Sequence, residues 1–181
     1  MDRLDALDAI EATVWAELAR APRQRAHGWR VGVLATVDGD GADARSVVLR
    51  EVDPARRELV FFADSRSRKV QQLQACPRGT LVLWSEPLGW QLRLKVALQV
   101  QTTGLAVSSR WARLKMSPAA HDYLSPLPPG TPVDRPLPER GSRAHFGVVT
   151  ARIDAIDWLE LHADGHRRAA FDADGRRWLV P

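Results

Sequence analysis

Residues 45–74, RSVVLREVDPARRELVFFADSRSRKVQQLQ, decide how the rest of the chain is interpreted. Two apolar runs typical of short strands are separated by an Asp53-Pro54 turn, and a helix follows that Ser65 or Ser67 can cap. Seven of these residues are Arg or Lys, and most of them gather at the ends of the elements. The apolar middles of these elements indicate a packed core. The basic residues at their ends indicate that the edge of this core faces negatively charged groups.

The helix start is where the positive charge is hardest to explain by folding alone. Arg68 and Lys69 fall in its first turn, where a cation opposes the helix dipole. A bound anion would reverse that cost, because the backbone N–H groups and both side chains would then donate to it. A solvated basic loop would have the same spacing, so the spacing alone leaves both interpretations open.

The flanking sequence predicts more strands. Apolar residues alternate with polar ones through WQLRLKVALQVQT, residues 90–102, as in a half-buried strand. The Asp38-Gly39-Asp40-Gly41 stretch between two apolar runs predicts a hairpin. In total we expect seven or eight short, mainly antiparallel strands with two or three helices. That pattern predicts a mainly β fold with flanking helices, a barrel or a sandwich, rather than a doubly wound sheet.

The chain length of 181 residues predicts a single domain spanning residues 1–181. Residues 1–25 contain a predicted amphipathic helix over residues 3–20. Residues 125–141 hold six of the twelve prolines and predict an extended loop. Three of the seven tryptophans, Trp84, Trp158 and Trp178, lie in apolar strand-like contexts and are predicted to be in the core.

Composition narrows the function classes. The net charge is +4, and the basic residues are nearly all Arg, with Lys only at positions 69, 95 and 115. Arg suits phosphate recognition, although a GC-rich genome would give the same bias. We do not expect nucleic-acid binding, because the aromatic residues lie mostly in apolar strands and are not interleaved with basic residues on one face.

Other partners and sites are also disfavoured. No stretch approaches the roughly 20 apolar residues that span a bilayer, so we expect no membrane segment. The start of the chain lacks the apolar core of a signal peptide, and Cys76 is the single cysteine, so we expect a cytoplasmic protein without a disulfide. His162 and His166 lie in strand-like sequence and do not share a helical face, so no metal site is expected.

Four motifs, in their order along the chain, resemble those of a known family. They are the Arg-x-Val-x-Leu-Arg run at 45–50, the aromatic strand at 58–64, Ser-x-Lys at 67–69, and a strand carrying Gln91. The order and spacing are similar to those of the pyridoxamine 5′-phosphate oxidase family of FMN-binding split β-barrels, most strongly over residues 30–102. The resemblance implies an antiparallel FMN-binding split barrel that works as a homodimer, with FMN at the interface.

The resemblance also implies which residues bind the cofactor. Arg45, Arg68 and Lys69 would contact the FMN phosphate, and Gln91 would reach the flavin of the partner subunit. The full set of implied FMN-binding residues is Arg45, Ser46, Val47, Val48, Leu49, Arg50, Phe62, Ala63, Ser67, Arg68, Lys69 and Gln91.

The implied activity is that of an FMN-dependent oxidoreductase acting on a small molecule. Arg50, Trp111 and Arg167 are the candidate substrate contacts. The chain departs from the oxidase pattern on the middle helix, where it reads WARLKMSPA, and at Arg167-Arg168-Ala169, so the substrate is left unassigned. No catalytic base is identified. A flavin carrier without a dedicated substrate is the alternative, and a deazaflavin or haem in place of FMN is also left open.

Overall fold

The computed structural model describes residues 3–136, 140–141 and 144–181. Within them the strands are β1 (Val31–Asp38), β2 (Gly41–Val48), β3 (Glu51–Asp53), β4 (Glu58–Asp64), β5 (Arg78–Ser85), β6 (Trp90–Gln101), β7 (Phe146–Glu160), β8 (Arg167–Asp172) and β9 (Gly175–Leu179). The helices are α1 (Leu7–Arg20), α2 (Arg68–Ala75) and α3 (Leu105–Leu114), with 3-10 turns at Gly28–Arg30 and Pro118–Tyr123.

The strand order explains why the sheet curls on itself. Neighbours follow the order β2-β1-β5-β6-β7-β4-β3, and every pairing in it is antiparallel. The two edge strands of this order, β2 and β3, are consecutive in the chain and separated by only Leu49 and Arg50. Leu49 N donates to Arg30 O at 2.8 Å, and Arg50 N donates to Val60 O at 2.8 Å. The chain therefore crosses from the β1 edge to the β4 edge and closes the sheet at that point.

The longest strand, β7, divides the sheet on one side. Its first half, 146–152, pairs with β4, and 156–160 pairs with β8, while β6 runs along its other edge. The pairing of β6 with β7 has a register shift between Lys95 and Val96, which marks a bulge. The prediction of a mainly β, antiparallel fold with flanking helices is confirmed.

Alternation along the strands puts one set of side chains inside the barrel. On β6, the residues at 90, 92, 94, 96 and 98 are buried and the intervening ones are largely turned outward. Trp158 is fully buried, as predicted, but Trp84 and Trp178 are about half exposed, so their placement in the core was wrong. On β5 the inward positions belong to Leu81, Leu83 and Ser85, and an apolar neighbourhood in sequence does not reveal which face a tryptophan occupies.

A second, smaller apolar cluster forms on the outer face of β4 and β7. Val60 and Val148 contribute from the strands, and Val107 from α3 covers them. Phe146 and Tyr123 meet edge to face with ring centroids 5.2 Å apart. This cluster fixes α3 and the 3-10 turn against the sheet beside the crossing at Arg50.

The remaining segments differ in detail from the predictions. The N-terminal helix begins at Leu7, and residues 1 and 2 of the predicted 1–25 region lie outside the described residues. The described part of the 125–141 loop has no helix or strand, as predicted, and residues 137–139 lie outside the description. The extent of the single domain stays a prediction. In the described part of the chain, no helix is both long and apolar enough to cross a bilayer.

Candidate cofactor site

The seven basic residues of the 45–74 segment differ in whether a carboxylate neutralises them. Five of them lie within 4.0 Å of a carboxylate: Arg45, Arg56, Arg57, Arg66 and Arg68. Lys69 and Arg50 have no carboxylate at that distance among the described residues. A cation left unpaired at the edge of a folded core is available to an external anion.

Lys69 lies in a partly buried, positively charged environment at the start of α2. Its Nζ is 3.5 Å from Oγ of Ser67, which is itself almost fully buried. Burial lowers the pKa of the Lys69 ammonium, the charge of Arg45 lowers it further, and Asp64 opposes both effects. Ser67 does not cap α2 with its hydroxyl. The start of the helix therefore presents an ammonium and a hydroxyl that an oxyanion can bind together.

Arg45 is held in place by its own neighbours. Its Nη1 donates to Thr36 Oγ1 at 2.6 Å, and its Nη2 donates to Asp43 Oδ2 at 2.5 Å and to Gln72 Oε1 at 2.7 Å. The hydrogen bonds from Gln72 and Arg45 hold the pKa of Asp43 below its ordinary value. These contacts tie β2 to α2, so Arg45 supplies positive charge to the site from a fixed position.

Arg68 occupies the rim of the same region. It forms an ion pair with Asp38 at the end of β1 and is largely exposed, and its charge also lowers the pKa of Asp43. The structure therefore brings Arg45, Arg68 and Lys69 to one end of the barrel. The prediction that these three residues bind a phosphate stays a prediction.

Strand alternation sorts the other predicted FMN contacts by face. Val47, Leu49 and Ala63 have side chains in the main core, so they can reach a cofactor only through their main chain. Ser46 and Val48 alternate with them and lie on the outer face of β2.

The crossing residue Arg50 lies on the same outer side as Phe62. The Arg50 guanidinium carbon is 5.8 Å from the centroid of the Phe62 ring, within cation–π range. Burial raises the pKa of the Tyr123 hydroxyl, and the nearby charge of Arg50 partly offsets that effect. An aromatic ring, a guanidinium and a phenol thus converge where β2 passes into β3.

A cleft of about 260 Å³ opens at this point. Arg50 and Phe62 line it together with α3 residues that the sequence analysis did not select, Arg110 and Arg113, and with Ser117. Arg110 forms a two-pronged ion pair with Glu51, with Nε–Oε1 at 3.0 Å and Nη2–Oε2 at 2.6 Å. Arg110 and Arg113 are three positions apart on α3, and in the sequence this spacing was the available signal, because on a helix it places both on one face.

Two predicted substrate residues lie elsewhere in the single chain. Trp111 packs against the smaller apolar cluster on the outer face of β4 and β7, with its ring centroid 5.4 Å from that of Phe146. Arg167 binds Glu160 through Nε at 2.8 Å and Nη2 at 3.0 Å, and its Nη1 donates to Asp5. Neither residue lines the cleft at Arg50.

Gln91 also lies away from the cleft within one chain. It is partly exposed on β6, directly across from Trp84 on β5. Both side chains face outward, and the predicted contact of Gln91 with the flavin of a partner subunit stays a prediction.

Comparison with known proteins identifies the family. The family model "Pyridoxamine 5′-phosphate oxidase, FMN-binding domain" matches residues 11–102, just over half of the chain, and the chain belongs to this family. A pyridoxine/pyridoxamine 5′-phosphate oxidase of Caulobacter vibrioides is 29% identical over 157 residues, covering 78% of this chain and 70% of the relative. One of the same name from Thermosynechococcus vestitus is 48% identical over 63 residues, 34% of this chain and 29% of the relative.

Solved structures show the same fold. A pyridoxamine 5′-phosphate oxidase-related, FMN-binding protein of Nostoc punctiforme superposes with a TM-score of 0.74 at 23% identity, over 94% of this chain and 96% of that one. PhzG of Burkholderia lata, solved with tetrahydrophenazine-1-carboxylic acid, gives a TM-score of 0.73 at 19% identity, over 98% and 94% of the two chains. The predicted split-barrel fold is confirmed.

Proposed function

We propose that the protein is an FMN-dependent oxidoreductase that binds the cofactor phosphate at the start of α2 and the flavin ring toward Arg50. The observation that carries the proposal is the charge accounting: of seven basic residues, Lys69 and Arg50 have no carboxylate partner in the described part of the chain. Family membership makes a flavin the expected ligand. The flavin would supply the redox chemistry, and the protein would supply binding, orientation and electrostatics.

The two unpaired cations have different roles in this proposal. Lys69, with the Ser67 hydroxyl beside it, binds the phosphate, and Arg45 adds positive charge from its fixed position. Arg50, held against Phe62, stabilises the negative charge that the cofactor gains on reduction. We expect Arg50→Leu to lower the flavin reduction potential and turnover, and unchanged values for both would exclude this role.

The cleft lined by Arg50, Arg110 and Arg113 is the proposed place for the substrate. Three guanidinium groups against the single carboxylate of Glu51 leave the cleft net positive, which favours a small substrate with an anionic group. Phe62 provides an apolar surface in the same cleft.

A homodimer is the proposed assembly. Outward-facing residues of β1 and β5 form an apolar surface, and Val31, Val33, Val37 and Trp84 on it are 43–49% exposed. Gln91 lies next to Trp84 on the adjoining strand. If a second copy covers this surface, each Gln91 reaches beyond its own chain, as the resemblance implies.

A second function is favoured by the bond between Glu51 and Arg110. This pair occupies part of the cleft wall, with three contacts of 3.1 Å or less between the two side chains. A cleft whose Glu51 and Arg110 side chains already bond each other offers fewer free groups to a substrate, which suits a flavin carrier that has no dedicated substrate.

One experiment tests both functions. The purified protein is examined by absorption spectroscopy, and the released cofactor is identified by mass spectrometry. Amine and reduced-nicotinamide donors are then added to the protein with its bound flavin. An oxidoreductase carries FMN that is bleached by one donor and reoxidised in air. Bound FMN that stays oxidised with every donor supports carriage, and a protein that neither contains nor takes up FMN contradicts both.

A further inference from the structure

The last residue of β4, Asp64, is a carboxylate that the fold has almost removed from water. The residue is 5% exposed, and its partner is Arg66, only two positions along. Arg66 donates from Nη2 to Oδ2 at 2.7 Å, from Nε to Oδ1 at 3.1 Å and from its main-chain N to Oδ1 at 2.8 Å. Because a buried carboxylate is costly without a cation, this pairing is a condition for the fold at the end of β4.

The same guanidinium reaches in the other direction to the start of the proline-rich loop. It donates to three successive carbonyl oxygens, those of Ser125 at 3.0 Å, Pro126 at 3.3 Å and Leu127 at 3.2 Å. A planar group with five N–H donors can serve a carboxylate and several carbonyls at once, which a lysine ammonium cannot do in the same geometry. Arg66 therefore joins the end of β4 to residues 125–127.

Lys69 is the second cation near Asp64. Asp64 is the carboxylate whose charge raises the pKa of Lys69, against the lowering effects of burial and of Arg45. The described residues show no ion pair between Asp64 and Lys69, and both carboxylate oxygens of Asp64 are bonded to Arg66. The carboxylate near the Lys69 ammonium, that of Asp64, is therefore already neutralised by Arg66.

We propose that Asp64 and Arg66 are positioning residues for the cofactor site: Arg66 keeps the Asp64 carboxylate occupied and so leaves the Lys69 ammonium free for a phosphate. This inference rests on the proposed binding of FMN at Lys69. Without Arg66, Asp64 would remain buried and charged. Lys69 is the cation placed to pair with it, because Lys69 Nζ lies 3.5 Å from Ser67 Oγ and Ser67 N donates to the Asp64 carbonyl oxygen at 3.0 Å. That ion pair would compete directly with the phosphate.

The test compares Arg66→Gln, Asp64→Asn and the double variant, with Arg56→Gln as the matched control. Arg56 is an exposed arginine whose side chain forms an ion pair with nearby Asp53. The first readout is the pKa of Lys69 in the cofactor-free protein, measured by NMR of the side-chain nitrogens. Because the chain has only three lysines, the three signals can be assigned by single substitutions. The second readout is FMN affinity, measured by flavin fluorescence.

In Arg66→Gln, we expect the pKa of Lys69 to rise and FMN affinity to fall by about tenfold, the scale of one charge-assisted hydrogen bond. In the double variant, the pKa should fall again and most of the FMN affinity should return, because the uncharged amide introduced by Asp64→Asn cannot form an ion pair with Lys69. Asp64→Asn alone should lower the pKa of Lys69, which keeps the test decisive even if Arg66→Gln does not fold. Arg56→Gln should match the wild type in both readouts.

An unchanged pKa of Lys69 in both single variants would overturn the inference. A double variant that binds FMN as poorly as Arg66→Gln would also overturn it, since Arg66 would then act on the phosphate directly. If the variants show the expected pKa changes but the wild-type protein binds no FMN, the proposed function is contradicted instead.

Discussion

At the scale of single residues, the partners of the arginines determine which of them can serve a ligand. Arg68 looks equivalent to Lys69 in the sequence, yet it pairs with Asp38, thirty positions earlier. Among the residues that the structure describes, the hydrogen-bonding contact of the Lys69 ammonium is the Ser67 hydroxyl at 3.5 Å. The sequence could place both cations at a helix start, but it could not tell which would be neutralised, because the carboxylate comes from a distant strand.

The lowered pKa of Lys69 predicts a pH dependence of cofactor binding. FMN favours the charged ammonium, so its affinity should fall as the pH rises through the lowered pKa of Lys69, where binding has to take up a proton. The phosphate remains dianionic over this range, since its second pKa is about 6. FMN titrations from neutral to alkaline pH measure the slope.

Two lysine variants make that measurement specific. Lys69→Met should lose both affinity and the alkaline slope, whereas Lys115→Met, which removes an exposed lysine at the end of α3, should keep both. The same alkaline slope in Lys69→Met as in the wild type would show that another group titrates.

At the scale of elements, the site depends on how β2 leaves the sheet. Arg45 and Arg50 are five positions apart along one extended stretch, so their side chains point to opposite faces. Arg45 hydrogen-bonds Gln72 of α2 at the end of the barrel, whereas Arg50 lies on the outer face against the Phe62 ring. Period-two alternation predicted the inward face of β6 correctly. It could not predict that a two-residue crossing between β2 and β3 would close the sheet, because closure depends on pairing with β1 and β4.

The contact between β1 and β5 gives a test at this scale. A Cβ added at Gly79 would lie 2.7 Å from the carbonyl oxygen of Ala35, which cannot move without shifting β1. We expect Gly79→Ala to lower the free energy of unfolding by about 1–3 kcal/mol. Urea unfolding of the variant and the wild type measures this difference in the free energy of unfolding.

Gly41→Ala is the matched control, because the nearest atom to its added Cβ is Asp38 O at 3.7 Å, an ordinary contact. Its change should stay within about 0.5 kcal/mol. If Gly79→Ala is as stable as Gly41→Ala, the close pairing of β1 with β5 is wrong.

At the scale of the whole molecule, the apolar surface of β1 and β5 is the feature that one chain does not explain. Val33 lies opposite Val82, and both belong to the outward face that also carries Trp84. The apolar runs in the sequence predicted strands here, and the same apolar context wrongly placed Trp84 in the core. A strand with apolar residues on both faces is typical of a sheet covered on both sides.

The proposed dimer predicts the effect of a charge on that surface. Val33→Glu should convert the dimer to a monomer in sedimentation experiments, because burying the new carboxylate at the interface would be costly. FMN affinity should fall with it, since Gln91 would no longer reach the partner. Leu105→Glu, which changes an exposed leucine at the start of α3, should remain dimeric. A monomeric wild-type protein would contradict the proposed assembly.

The central claim is that Lys69 binds a phosphate, and the most direct measurement compares FMN with riboflavin, which lacks that phosphate. Titration of the cofactor-free protein with each flavin should show FMN bound roughly tenfold or more tightly, as expected for a charge-assisted contact. Lys69→Met should remove most of that preference. Equal affinities for the two flavins in the wild type, or a preference that survives Lys69→Met, would contradict the account.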